Sequence, residues 1–198
     1  MSDSFRVDYA NARRPIPQPD PGEPADLVSA NFDYLAAGPS ATITIGDYVL
    51  VLDGLLFVTW IGESLPLAER VAASAPDEWP ALYRDDLPDL PPEATVHPWI
   101  AAGMQENAPV LVFVVDAPSN RVLIFTRSSA DVGGPRLVRL ERDREEPYVV
   151  ARDDVVSAIT GCLTQYLDDL VAAFPGLAED ESYGSYRQRL QVIGKPCR

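Results

Sequence analysis

Residues 107–127 read "NAPVLVFVVDAPSNRVLIFTR". Two strongly apolar runs flank the polar, kinked "DAPSN" of residues 116–120. Valine, isoleucine and phenylalanine suit the pleated surface of a sheet, and the proline and asparagine between the runs mark a bend. The stretch predicts a β-hairpin. Its runs are too continuously apolar for a sheet face open to water, so they predict central strands covered on both faces. Each Val, Leu or Phe buried there contributes roughly 1.5–3 kcal/mol. Asp116 and Asn120 then have a sufficient local task, because Asp and Asn side chains bond nearby backbone amides and tolerate turn geometry. The hairpin is scaffold, and the search for function moves away from it.

After the hairpin, "GGPRLVRLER" (residues 133–142) predicts a third strand, with Arg136, Val138 and Leu140 on one face, and "EEPYVVA" (residues 145–151) a short fourth. Together they make an antiparallel meander. The next segment, "RDDVVSAITGCLTQYLDDLVAAFPG" (residues 152–176), predicts a long amphipathic helix. Val155, Val156, Ile159, Cys162, Leu163, Tyr166, Leu167, Leu170, Val171 and Phe174 recur at steps of three and four. Asp153 or Asp154 can cap its first turn, where the helix dipole also favours an anion, and Pro175-Gly176 ends it.

Before the hairpin, "ATITIGDYVLVLDGLLFVTWIG" (residues 41–62) predicts another hairpin turning at Asp53-Gly54, with Gly46 as a bulge. A short helix follows at residues 66–75. "PADLVSANFDYLAAG" (residues 24–38) predicts a helix with Leu27, Asn31, Tyr34 and Leu35 on one face and Gly38-Pro39 as its stop. Residues 13–24, "RRPIPQPDPGEP", hold five prolines and predict an extended, polyproline-like path. The expected organisation is a proline-rich arm over residues 1–24, a single α+β domain over 25–176, and a tail over 177–198 that can pack on the domain. The expected fold class is α+β: an antiparallel meander packed against helices, with a long C-terminal amphipathic helix.

The chain has 198 residues, 46% of them hydrophobic, and a formal net charge of −14. That length and apolar content support one domain with a real core. The negative field repels nucleic acid and anionic membrane and attracts basic partners, so neither of the first two is expected as a partner. The N-terminal "MSDSFRVDYANARR" has no apolar secretory core, and the longest apolar run is too short to span a bilayer. Cys162 and Cys197 have neither zinc-site spacing nor that of a disulfide framework, which suits a reducing cytoplasm.

Signals for catalysis are thin. The single histidine, His97, lies in "VHPW", where a packed loop residue is the commoner role. Asp85-Asp86, Asp153-Asp154 and Asp168-Asp169 are adjacent pairs. On a helix such neighbours diverge by about 100°, so they make no ready chelate. No phosphate-binding loop or serine elbow is present. No cofactor and no metal is expected.

The richest surface signal precedes the hairpin. Asp77, Glu78, Asp85, Asp86, Asp89 and Glu93 are offset only by Arg84, and Trp79 and Tyr83 stand among them. Aromatics among charges make good interface anchors, so these eight residues are the candidate partner-binding set. The same composition also suits a solvated loop.

The sequences "NAPVLVFVVDAPSNRVLIFTRSSADVG" and "EPYVVARDDVVSAITGCLTQYLDDL" resemble the SUKH superfamily, whose bacterial members are often immunity proteins of toxin systems. The resemblance covers residues 107–174. It rests on an apolar strand ending in Asp (Val110–Asp116), a turn, a second strand (Arg121–Arg127), and the Val150-Ala151 step into a helix. It implies a cytoplasmic, non-catalytic immunity protein that binds and neutralises a basic toxin domain. Two other readings stand beside it: a chaperone or adaptor for a secreted effector, binding extended clients at a sheet edge, and an enzyme of unknown reaction.

Overall fold

The computed structural model describes residues 2–11, 15, 26–73, 95–100, 110–116, 119–127 and 146–194. Strands β1 (Phe5–Ala10), β2 (Ser40–Ile45) and β3 (Tyr48–Asp53) form one antiparallel sheet in the order β1-β2-β3. Strands β4 (Thr95–Ile100), β5 (Val110–Asp116), β6 (Arg121–Arg127) and β7 (Tyr148–Ala151) form a second, in the order β4-β5-β6-β7. The helices are α1 (Leu27–Ala36), α2 (Leu55–Ala73), α3 (Arg152–Ala173) and α4 (Glu181–Ile193), with a 3-10 turn over Pro175–Glu179. The class is α+β.

The opening hairpin is β5 and β6. They pair antiparallel, with Val110 opposite Arg127 and Asp116 opposite Arg121. β4 and β7 flank them, so both are interior strands. Phe113 faces Ile124, and that face continues through Val122, Tyr148 and Val150, all buried. The opposite face differs from expectation: Leu123 and Val149 are only half-buried. Among the described elements, α3 packs against β1, β6 and β7. Asn120 takes a left-handed conformation with φ 55°, which asparagine accepts more readily than most residues.

The helix that follows has the expected extent and apolar face, but its start differs. Ala151 is the N-cap and supplies no side-chain bond, while Asp153 and Asp154 lie in the first turn. β7 runs directly into α3, so no side-chain oxygen occupies the cap position. The Arg152 N–H instead donates to the Asn120 carbonyl at 3.4 Å. The hairpin bend thus serves the helix start.

Three further corrections concern the N-terminal half. First, the β2–β3 turn is Gly46-Asp47, with Ile45 opposite Tyr48; Gly46 is no bulge. Its φ of +54° at the first central position suits a primed hairpin turn. Second, Asp53-Gly54 is not a hairpin turn. Gly54, with φ +52°, leads into α2, and the run "LLFVTWIG" is helical. Phe57, Trp60, Ser64, Ala68 and Val71 are buried at steps of three and four, which packs one helical face. The short helix expected at 66–75 is the second half of α2, and Pro66 lies within it. Third, residues 5–10 are a strand and not part of a surface arm. Phe5 is buried, and Val7 and Tyr9 pack against the core.

The residues just ahead of β1 join the two sheets. The Asp3 N–H donates to the Val149 carbonyl at 2.8 Å, and the Val149 N–H donates to Asp3 Oδ2 at 3.4 Å. Gly46 N–H donates to the Ser4 carbonyl at 3.2 Å. At the other end, α4 packs on α2 and α3. Asp180 caps it by accepting from the Tyr183 N–H at 2.7 Å. Arg189 makes a bidentate pair with Glu69 at 2.7 and 2.6 Å, and Arg187 pairs with Asp168 at 2.7 Å. The strand expected at residues 133–142 lies outside the described residues.

Candidate functional site

The eight candidate partner-binding residues, Asp77, Glu78, Trp79, Tyr83, Asp85, Asp86, Asp89 and Glu93, all lie outside the described residues. They fall between α2, which ends at Ala73, and β4, which begins at Thr95. The backbone of His97 lies on β4 opposite Phe113.

The described surface extends the acidic theme. Arg6 pairs with Asp8 at 2.7 Å, Arg152 with Asp153 at 3.7 Å, Arg187 with Asp168 at 2.7 Å and Arg189 with Glu69 at 2.6 Å. Each of these guanidiniums already faces a carboxylate of its own chain. Exposed pairs of this kind add little stability, but they leave the arginines matched. Asp33, Asp47, Asp154, Glu179 and Glu181 are exposed and have no ion pair among the described residues. They lie on α1, the β2–β3 turn, the α3 start and the corner between α3 and α4.

A polar cluster that sequence reasoning missed lies where β1, α1 and α3 meet. The Tyr9 and Tyr34 hydroxyls hydrogen-bond to each other. The Tyr166 hydroxyl donates to Asn31 Oδ1 at 2.7 Å. The rings stack edge-on, with Tyr9–Tyr166 centroids at 5.7 Å and Tyr34–Tyr166 at 5.5 Å, and Phe57 packs on Tyr166 at 5.7 Å. Burial raises the pKa of Tyr9 and Tyr166 well above the ordinary phenol value, so both stay protonated. Asp169 adjoins this cluster. Desolvation and then the neighbouring Asp168 raise its pKa, against hydrogen bonds from Tyr34 and Tyr9 that lower it. Its Oδ2 is buried without a hydrogen-bond partner, so those bonds do not satisfy the whole group. The only signal available in the sequence was that Tyr166 and Asp169 are three apart on one helix. Their partners on β1 and α1 are distant in the chain.

Chemically this cluster is a tie between elements. Its tyrosine hydroxyls are hydrogen-bonded, while Asp169 Oδ2 is left without a partner. Cys162 is buried and its thiol is pushed up to about 12 by burial, far from the thiolate that nucleophilic chemistry needs. A groove of about 340 Å³ between α3 and α4 is lined by Ser157, Thr160, Gly161, Thr164 and Arg187, among others. Two of its donors are engaged internally: Thr160 donates to the Val156 carbonyl at 2.7 Å, and Arg187 to the Thr164 carbonyl at 3.3 Å and to Asp168. Among the described residues no group of three or more His, Cys, Asp or Glu could hold a metal ion. Nor is any helix there long and apolar enough to cross a membrane. Comparison with protein-family models, with curated proteins and with solved structures finds no match.

Proposed function

We propose that this chain is a non-catalytic acidic binding protein, a cytoplasmic immunity protein that binds and neutralises a cognate basic toxin domain. The observation that carries the reading is the charge. The chain has a net charge of −14, and Arg6, Arg152, Arg187 and Arg189 each pair with one of its own carboxylates. A basic partner is attracted by the carboxylates left in excess. A toxin that acts on nucleic acid or nucleotides needs a basic cleft, and an acidic inhibitor is steered into such a cleft by the same field. Asp77, Glu78, Asp85, Asp86, Asp89 and Glu93 are the proposed charge partners, with Trp79 and Tyr83 as apolar anchors. The order of β5, β6, β7 and α3 is the order on which the SUKH resemblance rests.

The test is protection. The toxin domain encoded by the adjacent gene is expressed in a heterologous host with and without this chain. Restored growth, together with a complex that weakens as salt rises, is the expected result. Unprotected cells, or a gene neighbourhood that encodes only metabolic enzymes, would overturn the proposal.

A further inference from the structure

Four large hydrophobic side chains are exposed among the described residues: Val28, Phe32, Val58 and Val192. Two of them lie one turn apart on α1, with Val28 62% and Phe32 70% exposed. Four residues apart on a helix means the same face. The adjacent row carries exposed Asp33, and exposed Asp26 stands at the N-cap. One short helix therefore shows water an apolar stripe with carboxylates beside it.

The opposite face of α1 explains why this stripe has a fixed position. Ala30 and Tyr34 are buried. Asn31 accepts from Tyr166, and the Tyr34 hydroxyl bonds to Tyr9. Asp26 caps the helix by accepting from the Ser29 N–H at 2.9 Å. A helix of 10 residues is marginal alone in water, so these bonds to β1 and α3 are what hold it. Phe32 takes no part in them. A large aromatic on a rigid, pre-ordered element loses little freedom on binding, which is what an interface anchor requires.

We infer that the outward face of α1 is a docking surface for a basic partner protein, with Phe32 seated in an apolar pocket and Asp26 and Asp33 meeting cations at its rim. The inference rests on the proposed function and adds a second contact region to the one before β4. Charge selects the occupant. A second copy of this chain would bring net charge −14 and the same two carboxylates against themselves, and an anionic lipid surface is repelled in the same way.

The experiment uses the full chain and a fluorescent 18-residue peptide made only of leucine and lysine, patterned as an amphipathic helix, with a scrambled peptide of the same composition. Anisotropy titrations at about 0.15 M salt compare the wild type with Val28→Ser/Phe32→Ser, Asp33→Lys and Val192→Ser. The double variant should lose about tenfold or more in affinity. Asp33→Lys should weaken binding and flatten its salt dependence, and Val192→Ser should leave it unchanged. A benzoylphenylalanine at position 32 should crosslink the patterned peptide, and one at position 192 should not. All substituted side chains are exposed, so matching thermal melts are expected and confirm the fold. Equal binding by wild type and the double variant overturns the inference. So does a wild-type dimer that the double variant converts to monomer, since the face is then a self-interface. The same double variant separates this inference from the function it rests on. If it protects against the cognate toxin as well as the wild type does, the α1 surface is wrong and the immunity function stands. If the peptide docks on α1 but no toxin is neutralised, the immunity function falls and the surface stands.

Discussion

Gly46 makes a demand that no other residue type meets at its position. Its φ is +54°, and a Cβ built there would lie 2.9 Å from Tyr148 Cε1 and 3.3 Å from Asp3 Oδ1. The turn joining β2 and β3 therefore presses against β7 and the N-terminal strand at once. Gly46→Ala should cost about 1–3 kcal/mol, from backbone strain plus displacement of the Tyr148 ring. Gly161 is the internal contrast. A Cβ there meets nothing within 4 Å, and the residue is interior to α3. Gly161→Ala should stabilise the protein by about 0.5–1 kcal/mol through helix propensity. Urea denaturation of the two variants checks both signs. Asp169 offers a third test, read against pH. Desolvation and Asp168 raise its pKa in the folded state, so the folded protein holds that proton more tightly than the unfolded chain. Protonation then favours the fold. This group's contribution is fully present below the unfolded carboxylate pKa and is lost as pH rises through the higher folded value. Asp169→Asn, which keeps an acceptor for the tyrosines, should raise the melting temperature at neutral pH. It should also remove part of the fall in stability between those two pKa values. A variant that melts lower at neutral pH and removes part of a rise in stability with pH would show that the carboxylate charge is stabilising after all.

At the scale of elements, the instructive case is α2. Local chemistry in "LLFVTWIG" favours a strand, since its β-branched and aromatic residues suit a pleated surface. What decides is burial. Phe57, Trp60, Ser64, Ala68 and Val71 fit one helical face against α3 and the sheet, and β3 is already paired with β2. Val58, 39% exposed on this helix, tests the point directly. Val58→Ala should be neutral or stabilising by up to about 0.5 kcal/mol, because alanine is the better helix former. In a strand the same change would be destabilising, so a clear loss in thermal or urea melts would count against the helix. α3 and the β5–β6 hairpin were legible because their patterns are long and self-contained, at steps of three and four in one and as continuous apolar runs in the other. β1 was not, because proline density nearby drew the whole N-terminal stretch into an arm. The reason Phe5, Val7 and Tyr9 form a strand lies in their partners Ile45, Ile43 and Ala41 on β2, and in the Val149 backbone that holds Asp3 just ahead of them, all far along the chain. The Tyr9–Tyr34–Asp169 cluster was invisible for the same reason: each member looks ordinary within its own element, and only the packing of three elements makes it a unit.

The whole molecule is dominated by its net charge of −14. A field of that sign costs some stability through self-repulsion and acts on other molecules well before contact. Under the proposed function it governs the rate of association more than the strength of the final complex, because rim charges change mainly the on-rate. Asp85 and Asp86 are the sharpest place to test this, since they are adjacent and only Arg84 lies beside them to offset them. Reversing both to lysine replaces two attractive charges by repulsive ones while leaving Trp79 and Tyr83 in place. Association with the toxin domain should slow by about tenfold or more at ~0.01 M salt, where the screening length is about 30 Å, and converge on the wild-type rate near 1 M, where it is about 3 Å. The dissociation rate should change far less. Stopped-flow mixing across a salt series measures both. An unchanged on-rate at low salt would remove the electrostatic basis of the proposal. A faster dissociation with an unchanged on-rate would instead make the two carboxylates part of the buried contact, where losing a charge leaves its partner unpaired.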